Sequence, residues 1–114
     1  MPRPRIPDDP LYLLLREGKI EEFNQRRAAG EQCDLRGVDL SRVDLRRLEP
    51  AGLDLGDSYL RMADLRGLDL RRTNLEGASI AAANISGCYF PPELTPEEIL
   101  LSIQHGTRMR YRSP

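Results

Sequence analysis

The sequence predicts an all-β solenoid closed by a short helical cap at each end. First, twelve consecutive groups of five residues run without insertion from Cys33 to Pro92. Second, the central residue of the group is large and apolar in eleven of the twelve, the exception being Pro50. Third, residues that begin and end helices flank this repeat on both sides. A short repeat at a fixed period indicates stacked units that bury a shared core.

The five-residue period indicates the conformation of each group. Apolar residues recur about every 3.6 residues in an amphipathic helix and every second residue in a strand, and a period of five fits neither. Two apolar side chains that are two residues apart point to one side of an extended chain, and the remaining residues then turn it. The pattern therefore predicts a coil with an apolar interior and polar corners. The groups read CDLRG, VDLSR, VDLRR, LEPAG, LDLGD, SYLRM, ADLRG, LDLRR, TNLEG, ASIAA, ANISG and CYFPP.

The repeat resembles that of the pentapeptide-repeat proteins, whose motif is approximately A-(D/N)-L-x-x. Matching groups are ADLRG at 63–67, TNLEG at 73–77 and ANISG at 83–87. The resemblance implies a right-handed quadrilateral β-helix in which four groups make one turn, so that the repeat forms about three coils. Groups twenty residues apart then form four faces, which begin with 33–37, 38–42, 43–47 and 48–52. The inward columns implied are Leu35/Leu55/Leu75, Leu40/Leu60/Ile80, Leu45/Leu65/Ile85 and Pro50/Leu70/Phe90.

The fourth face departs most from the family pattern. Leu48 and Leu68 stand where Ala is usual, and Pro50 stands where Leu or Phe is usual. Because proline has no N–H to donate to a neighbouring strand, we expect this face to be irregular in the first coil.

Helix signals divide the single domain into four segments. Residues 1–32 form an N-terminal helical cap, since Asp9-Pro10 suits a helix start and glycines end two short apolar segments. Residues 33–92 form the repeat. Residues 93–106 form a C-terminal capping helix, which begins at the capping box Thr95-Pro96-Glu97-Glu98. Residues 107–114 form a basic tail, which is either a solvated end or a contact for an acidic partner.

Composition limits the classes of function. The chain has 114 residues, with 17 Lys and Arg against 18 Asp and Glu, and a formal net charge of −1. This length supports one small domain, and the balanced charge provides no basic footprint for nucleic acid. No apolar run is long enough to span a bilayer or to form a signal-peptide core. We therefore expect a cytoplasmic protein with no direct nucleic-acid binding and no membrane contact.

The sequence offers no constellation of catalytic or cofactor-binding residues. Cys33 and Cys88 occupy inward positions of the repeat, two coils apart, which is too far for a disulfide. The only histidine, His105, lies outside the repeat. The Asp residues recur because the repeat recurs, and no phosphate-binding loop or metal-ligand spacing is present. We expect a protein that is not an enzyme and has no catalytic, metal or cofactor site.

Surface charge distinguishes two functions. The quinolone-resistance branch of the family resembles double-stranded DNA and binds DNA gyrase, and this mimicry needs a largely acidic face. Here eight Arg and nine acidic residues are interleaved within residues 33–92. Three coils also span only about 14 Å at the spacing of paired strands. The sequence therefore favours a protein–protein interaction module, and the alternative is a DNA mimic that binds gyrase or topoisomerase.

The candidate interaction surface combines an aromatic and apolar patch with a basic column. Tyr59 replaces the usual Asp or Asn on the second face, where it lies near Arg61 and an outward-pointing Met62. Arg46 and Arg66 stack on the third face. An open alternative is a solvated face on which alternating Asp and Arg residues neutralise each other. The expected partner is an unknown protein or, as a homodimer, a second copy of the chain.

Overall fold

A computed structural model describes residues 3–112, and its regular elements are three short helices. They are α1 at Pro10–Arg16, α2 at Ile20–Ala28 and α3 at Pro96–His105. The Asp9 carboxylate caps α1 by accepting hydrogen bonds from the Leu11 and Tyr12 N–H groups. Gly106 ends α3 in the left-handed conformation, which glycine adopts without strain.

Parallel bridges between residues twenty apart wind the repeat into three coils of four groups. Around Asp64 and Asn84, for example, the Leu65 N–H donates to the Asn84 carbonyl at 2.9 Å, and the Asn84 N–H donates to the Ala63 carbonyl at 3.0 Å. Equivalent parallel bridges occur on all four faces. The bridged pairs are Asp39 with Tyr59, Asp44 with Asp64, Asp54 with Asn74, Tyr59 with Ser79, Asp64 with Asn84 and Asp69 with Tyr89.

The backbone pairing between coils consists of single bridges rather than continuous strands. No longer strand forms within residues 3–112. The expected all-β class is therefore present only as a coiled backbone with parallel pairing. The reason is the short side of each coil, because every group must also turn a corner. In the group that ends at Met62, for example, the Ala63 N–H already donates back to the Leu60 carbonyl at 3.0 Å.

The fourth face is irregular in the first coil, as Pro50 predicts. Across the described residues, the first and second coils share no bridge on this face. The Pro50 carbonyl instead accepts a hydrogen bond from the Thr73 hydroxyl at 2.8 Å. The first face likewise has no bridge between these two coils, which the sequence did not indicate.

Central side chains fill the interior of the coils. Those of the first two coils are at most 2% exposed, apart from Pro50, which is partly buried. Burying one such leucine contributes about 2 kcal/mol. In the third coil Leu75 and Ile80 are equally buried, whereas Ile85 and Phe90 are only partly buried. The core is therefore closed over most of its length and incompletely covered over two faces of the last coil.

The N-terminal segment covers the free edge of the first coil, which we call the lower end. Arg5 adds one further layer to the second face through a parallel bridge to Val38. Side chains of α1 and α2 donate to backbone carbonyls that this edge would otherwise leave without partners. The pairs are Tyr12 with Asp39 at 2.6 Å, Arg16 with Ser41 at 2.7 Å, Arg27 with Glu49 at 3.0 Å and Arg27 with Ala51 at 2.9 Å.

Residues 107–112 pack along the free edge of the third coil, which we call the upper end. Met109 is fully buried, and its N–H donates to the Ala78 carbonyl at 2.9 Å. The Gly77 N–H donates to the Met109 carbonyl at 2.7 Å, and the Leu75 N–H donates to the Tyr111 hydroxyl at 2.8 Å. A solvated tail is therefore wrong for these residues, because the edge of the coil supplies backbone partners. The remaining two, Ser113 and Pro114, lie outside the described residues.

Glu98 connects this C-terminal segment to α3 instead of completing the predicted capping box. The Thr95 hydroxyl accepts from the Glu98 N–H at 3.2 Å, as a capping box requires. The Glu98 carboxylate, however, accepts from the Arg110 N–H at 2.9 Å and from its guanidinium at 2.9 and 3.1 Å. These hydrogen bonds lower the pKa of Glu98. The basic tail was expected either to be solvated or to contact an acidic partner, and one acidic residue that it contacts, Glu98, belongs to the same chain.

None of the three helices described between residues 3 and 112 has the length and apolar character needed to cross a bilayer.

Candidate interaction surface

The corner of the second face is the strained part of the coil. The last residue of each group turns a corner, and nine of these twelve residues have positive φ. Glycine occupies five of the nine. Three of the other four form the complete corner column of the second face, with φ of 66° at Arg42, 58° at Met62 and 54° at Ala82. Because a side chain in this conformation costs about 1–2 kcal/mol, the column retains side chains where glycine would be more stable.

Arg61 and Met62 are exposed at this corner. Met62 is 43% exposed. Within the described part of the chain, the Arg61 guanidinium has no hydrogen-bond or ion-pair partner. Arg42 and Ala82 are also exposed, above and below Met62 in the column. The corner therefore presents an unpaired cation beside a large, flexible apolar side chain.

Tyr59 is half-buried and holds the C-terminal segment against the second face. Arg108 donates to the Tyr59 hydroxyl at 2.6 Å, and the central carbon of its guanidinium lies 5.5 Å from the ring centroid. The same guanidinium contacts the Asp57 carboxylate at 3.4 Å. The part of the predicted patch that lies open is therefore Arg61 and Met62, while Tyr59 contributes to packing.

The basic column of the third face is paired with carboxylates. Arg46 contacts Asp44 at 2.8 Å and Asp64 at 3.3 Å, and Arg66 contacts Asp64 at 2.6 Å. Hydrogen bonds from Arg46 lower the pKa of Asp44 from 3.8 to about 2, and those from Arg66 lower the pKa of Asp64. Arg46 and Arg66 thus lie in a ladder of alternating charges, which corresponds to the mixed-charge face left open by the sequence.

Alternating charges also cover the first and fourth faces. Arg36 lies between Asp54 and Asp57, with a nitrogen–oxygen distance of 3.0 Å to each. Arg71 pairs with Asp69 at 2.8 Å and stacks on a tyrosine ring, 4.7 Å from its centroid. Six of the eight acidic side chains of the first two coils therefore pair with guanidinium groups, which reduces the negative field that they project.

Sequence reasoning missed the different character of the third coil. From Gly77 to Pro92 the chain contains no charged residue. Tyr89 in this stretch is 60% exposed, and the neighbouring α3 exposes Leu100 by 54% and Leu101 by 39%. Averaging the charge over the whole repeat concealed this run, although its sixteen residues can be counted directly in the sequence.

The thiols and the histidine are dispersed. Cys33 and Cys88 are free and half-buried, and burial raises the pKa of both thiols. The Cys88 thiol donates to the Leu65 carbonyl at 2.9 Å. His105 is exposed at the end of α3. Between residues 3 and 112, no three His, Cys, Asp or Glu side chains are grouped so that they could hold a metal ion.

Comparison with protein families identifies the repeat. Residues 54–90 match the family model for pentapeptide repeats, with eight copies. The match covers almost all of the second and third coils, while the first coil lies outside it. Searches of curated proteins and of solved structures returned no significant match.

Proposed function

We propose that this chain, whose residues 54–90 match pentapeptide repeats, is a non-enzymatic protein–protein interaction module. Proteins with these repeats are generally structural or interaction proteins without catalytic activity. We also propose the right-handed quadrilateral β-helix of the family for residues 33–92. The twenty-residue spacing of the bridges and the inward columns support that architecture.

The observation that carries the proposal is the strained, exposed corner column of the second face. A side chain retained at positive φ has a stability penalty that glycine would remove, and such penalties concentrate at functional positions. Met62 and the unpaired Arg61 at this corner combine the flexible apolar and cationic contacts that are enriched at interfaces. The paired Arg46 and Arg66 column is then a secondary contact, because a partner must compete with its carboxylates.

Affinity capture from native lysate of the source cells tests this proposal. The bait proteins are the wild type and the variants Arg61→Glu and Met62→Ala, and the captured proteins are identified by mass spectrometry. We expect one stoichiometric partner that both variants lose by tenfold or more. Arg72→Glu is the matched control, because it makes the same charge change at another exposed arginine, on the fourth face, that has no hydrogen-bond or ion-pair partner among residues 3–112. A partner lost equally with all three variants would contradict the assignment of this corner.

The alternative, a DNA mimic that binds gyrase or topoisomerase, has less support. Mimicry requires a continuous acidic surface, whereas carboxylates of the first two coils, such as Asp44 and Asp64, pair with arginines. A gyrase supercoiling assay separates the two functions. Inhibition at protein concentrations comparable to the enzyme would favour the mimic, and unchanged supercoiling is the result that we expect.

A further inference from the structure

The corner between the second and third faces gathers arginines that lack carboxylate partners. Nine arginines of the chain form ion pairs with carboxylates among residues 3–112. Arg16, Arg42 and Arg61 form no ion pair with these residues, and all three are exposed. We call these three residues the arginine row. The corner therefore carries three positive charges that the described part of the chain does not pair.

The coil places the arginine row on successive layers. The Arg16 guanidinium donates to the Ser41 carbonyl at 2.7 Å, so it lies at the lower edge of the first coil. The Arg42 N–H donates to the Arg61 carbonyl at 2.8 Å, which joins the first coil to the second at this corner. Because neighbouring layers lie about 4.8 Å apart, the row spans about 10 Å along the coil. About three or four residues of an extended chain would cover this distance.

Two of the long side chains at this corner are retained against the preference of the backbone. Arg42 and Met62 have φ of 66° and 58°, in the left-handed region where glycine is unstrained. The corner column of the first face shows the usual solution, since two of its three residues are Gly37 and Gly77. Strain of this kind persists mainly at functional positions. The arginine row and Met62 therefore share a corner that glycine would make more stable.

We propose that the arginine row binds a short acidic segment of the partner protein, and that an apolar side chain of this segment packs on Met62. The inference rests on the proposed function and names the chemical class of the segment that meets this corner. A guanidinium group binds a carboxylate through two parallel N–H donors, which gives the contact direction as well as charge. The flexible thioether of Met62 adapts to apolar side chains of different shapes.

The surroundings of the arginine row favour an acidic peptide segment over nucleic acid. Asp39, the only acidic residue of the second face, is partly buried and accepts from the Ser41 N–H at 2.9 Å. The neighbouring third face presents Asp44 and Asp64, whose charges are paired with arginines. A DNA duplex carries one charge per roughly 1.7 Å and would extend from the row onto this neutralised surface. A segment with a few carboxylates matches the short row without reaching it.

Titration of the ¹⁵N-labelled full chain with a synthetic peptide, followed by NMR, tests the proposal. The probe is a peptide of about eight residues with three glutamates around one leucine, and its counterpart has glutamines in their place. The acidic peptide is expected to shift the side-chain N–H signals of Arg42 and Arg61. It should bind at least about tenfold more tightly than the glutamine peptide, because only its carboxylates match the row.

Variants of the arginine row locate the binding. Arg42→Gln and Arg61→Gln should each weaken binding of the acidic peptide by about threefold, as expected for an exposed ion pair. Arg72→Gln is the matched control and should leave the affinity unchanged, since it removes the same charge on the fourth face. Arg16 is kept in every variant because it also caps the lower end. Circular dichroism of each variant reports whether the fold is retained.

The outcomes separate this inference from the proposed function. Equal affinity for the two peptides, or no binding at millimolar concentration, would overturn the acidic class of the partner. Tighter binding of a short DNA duplex than of the acidic peptide, through the same arginines, would overturn the choice of a protein segment. In the lysate capture, a partner that is lost with Met62→Ala but fully retained with Arg42→Gln would support the proposed function and overturn this inference. Binding of the acidic peptide at the row without any captured protein would contradict the proposed function alone.

Discussion

Replacing Ala82 by glycine should stabilise the protein, because this residue turns a corner at a φ of 54°. An L-residue in this conformation costs about 1–2 kcal/mol relative to glycine. The greater freedom of glycine in the unfolded chain offsets about 0.4–1 kcal/mol of that gain. The Ala82 side chain is exposed, and its N–H can still donate to the Ile103 carbonyl. The net change is a stabilisation of about 0.5–1 kcal/mol, or a rise in Tm of about 2–4 °C.

Two glycine-to-alanine variants make this a matched series. Gly67 has a φ of 77°, and a Cβ added there meets no atom within 4 Å. Gly67→Ala therefore measures only the cost of placing a side chain at positive φ, and it should lower the free energy of unfolding by about 1 kcal/mol. At Gly77 the added Cβ would also collide with the Asp57 carboxylate, which pairs with Arg36 and Arg108. Gly77→Ala should consequently be the least stable of the three.

Urea unfolding followed by circular dichroism at 222 nm gives the free energy of unfolding for each variant. The reasoning requires the order Ala82→Gly above wild type, then Gly67→Ala, then Gly77→Ala. A decrease in stability for Ala82→Gly together with no decrease for Gly67→Ala would refute it. That result would mean that these corners do not adopt the left-handed conformation in solution.

Three further predictions concern charge and capping. The pKa of Asp44 is lowered from 3.8 to about 2, so the ionised carboxylate stabilises the fold above about pH 4, and this stabilisation is lost as the pH falls through about 2. The urea midpoints at pH 5 and pH 2 should therefore differ less in Asp44→Asn than in the wild type. Glu98→Gln weakens the attachment of the C-terminal segment, and the Met109 amide should exchange its hydrogen roughly fivefold faster. Arg27→Met removes two bonds to the lower end and should destabilise by about 1 kcal/mol in urea. Arg26→Met is the control, because it breaks only an exposed ion pair and should change stability by less than about 0.5 kcal/mol. An equal loss of stability in Arg26→Met and Arg27→Met would contradict the capping role of Arg27.

The parts of the proposed contact differ in how they can be recognised. The corner at Met62 is visible in the sequence as a residue other than glycine at the end of a repeat group. Its significance, however, depends on the positive φ that the coil imposes on that position. The arginine row is not visible in the sequence, where Arg16, Arg42 and Arg61 are widely separated. These residues come together only because the coil stacks its groups and α1 covers the lower end.

The sequence alone determined the repeat, the inward residues and the three helices. These features are local, because a five-residue period and a capping residue act within a few positions along the chain. The sequence therefore predicts that Leu40 and Leu60 point inward and that α3 begins at Pro96. The interleaved Asp and Arg residues also indicated a mixed-charge surface, as the pairing of Asp44 with Arg46 illustrates.

Only the tertiary structure decided how the ends of the coil are covered. The packing of Met109, the contact of Tyr59 with Arg108 and the capping by Arg27 all join residues more than twenty positions apart. Such contacts depend on where the chain returns in space, and a free coil edge accepts any segment that supplies backbone partners. The same physical reason leaves the edge at Ile85 open, since no segment within residues 3–112 returns to bond with it.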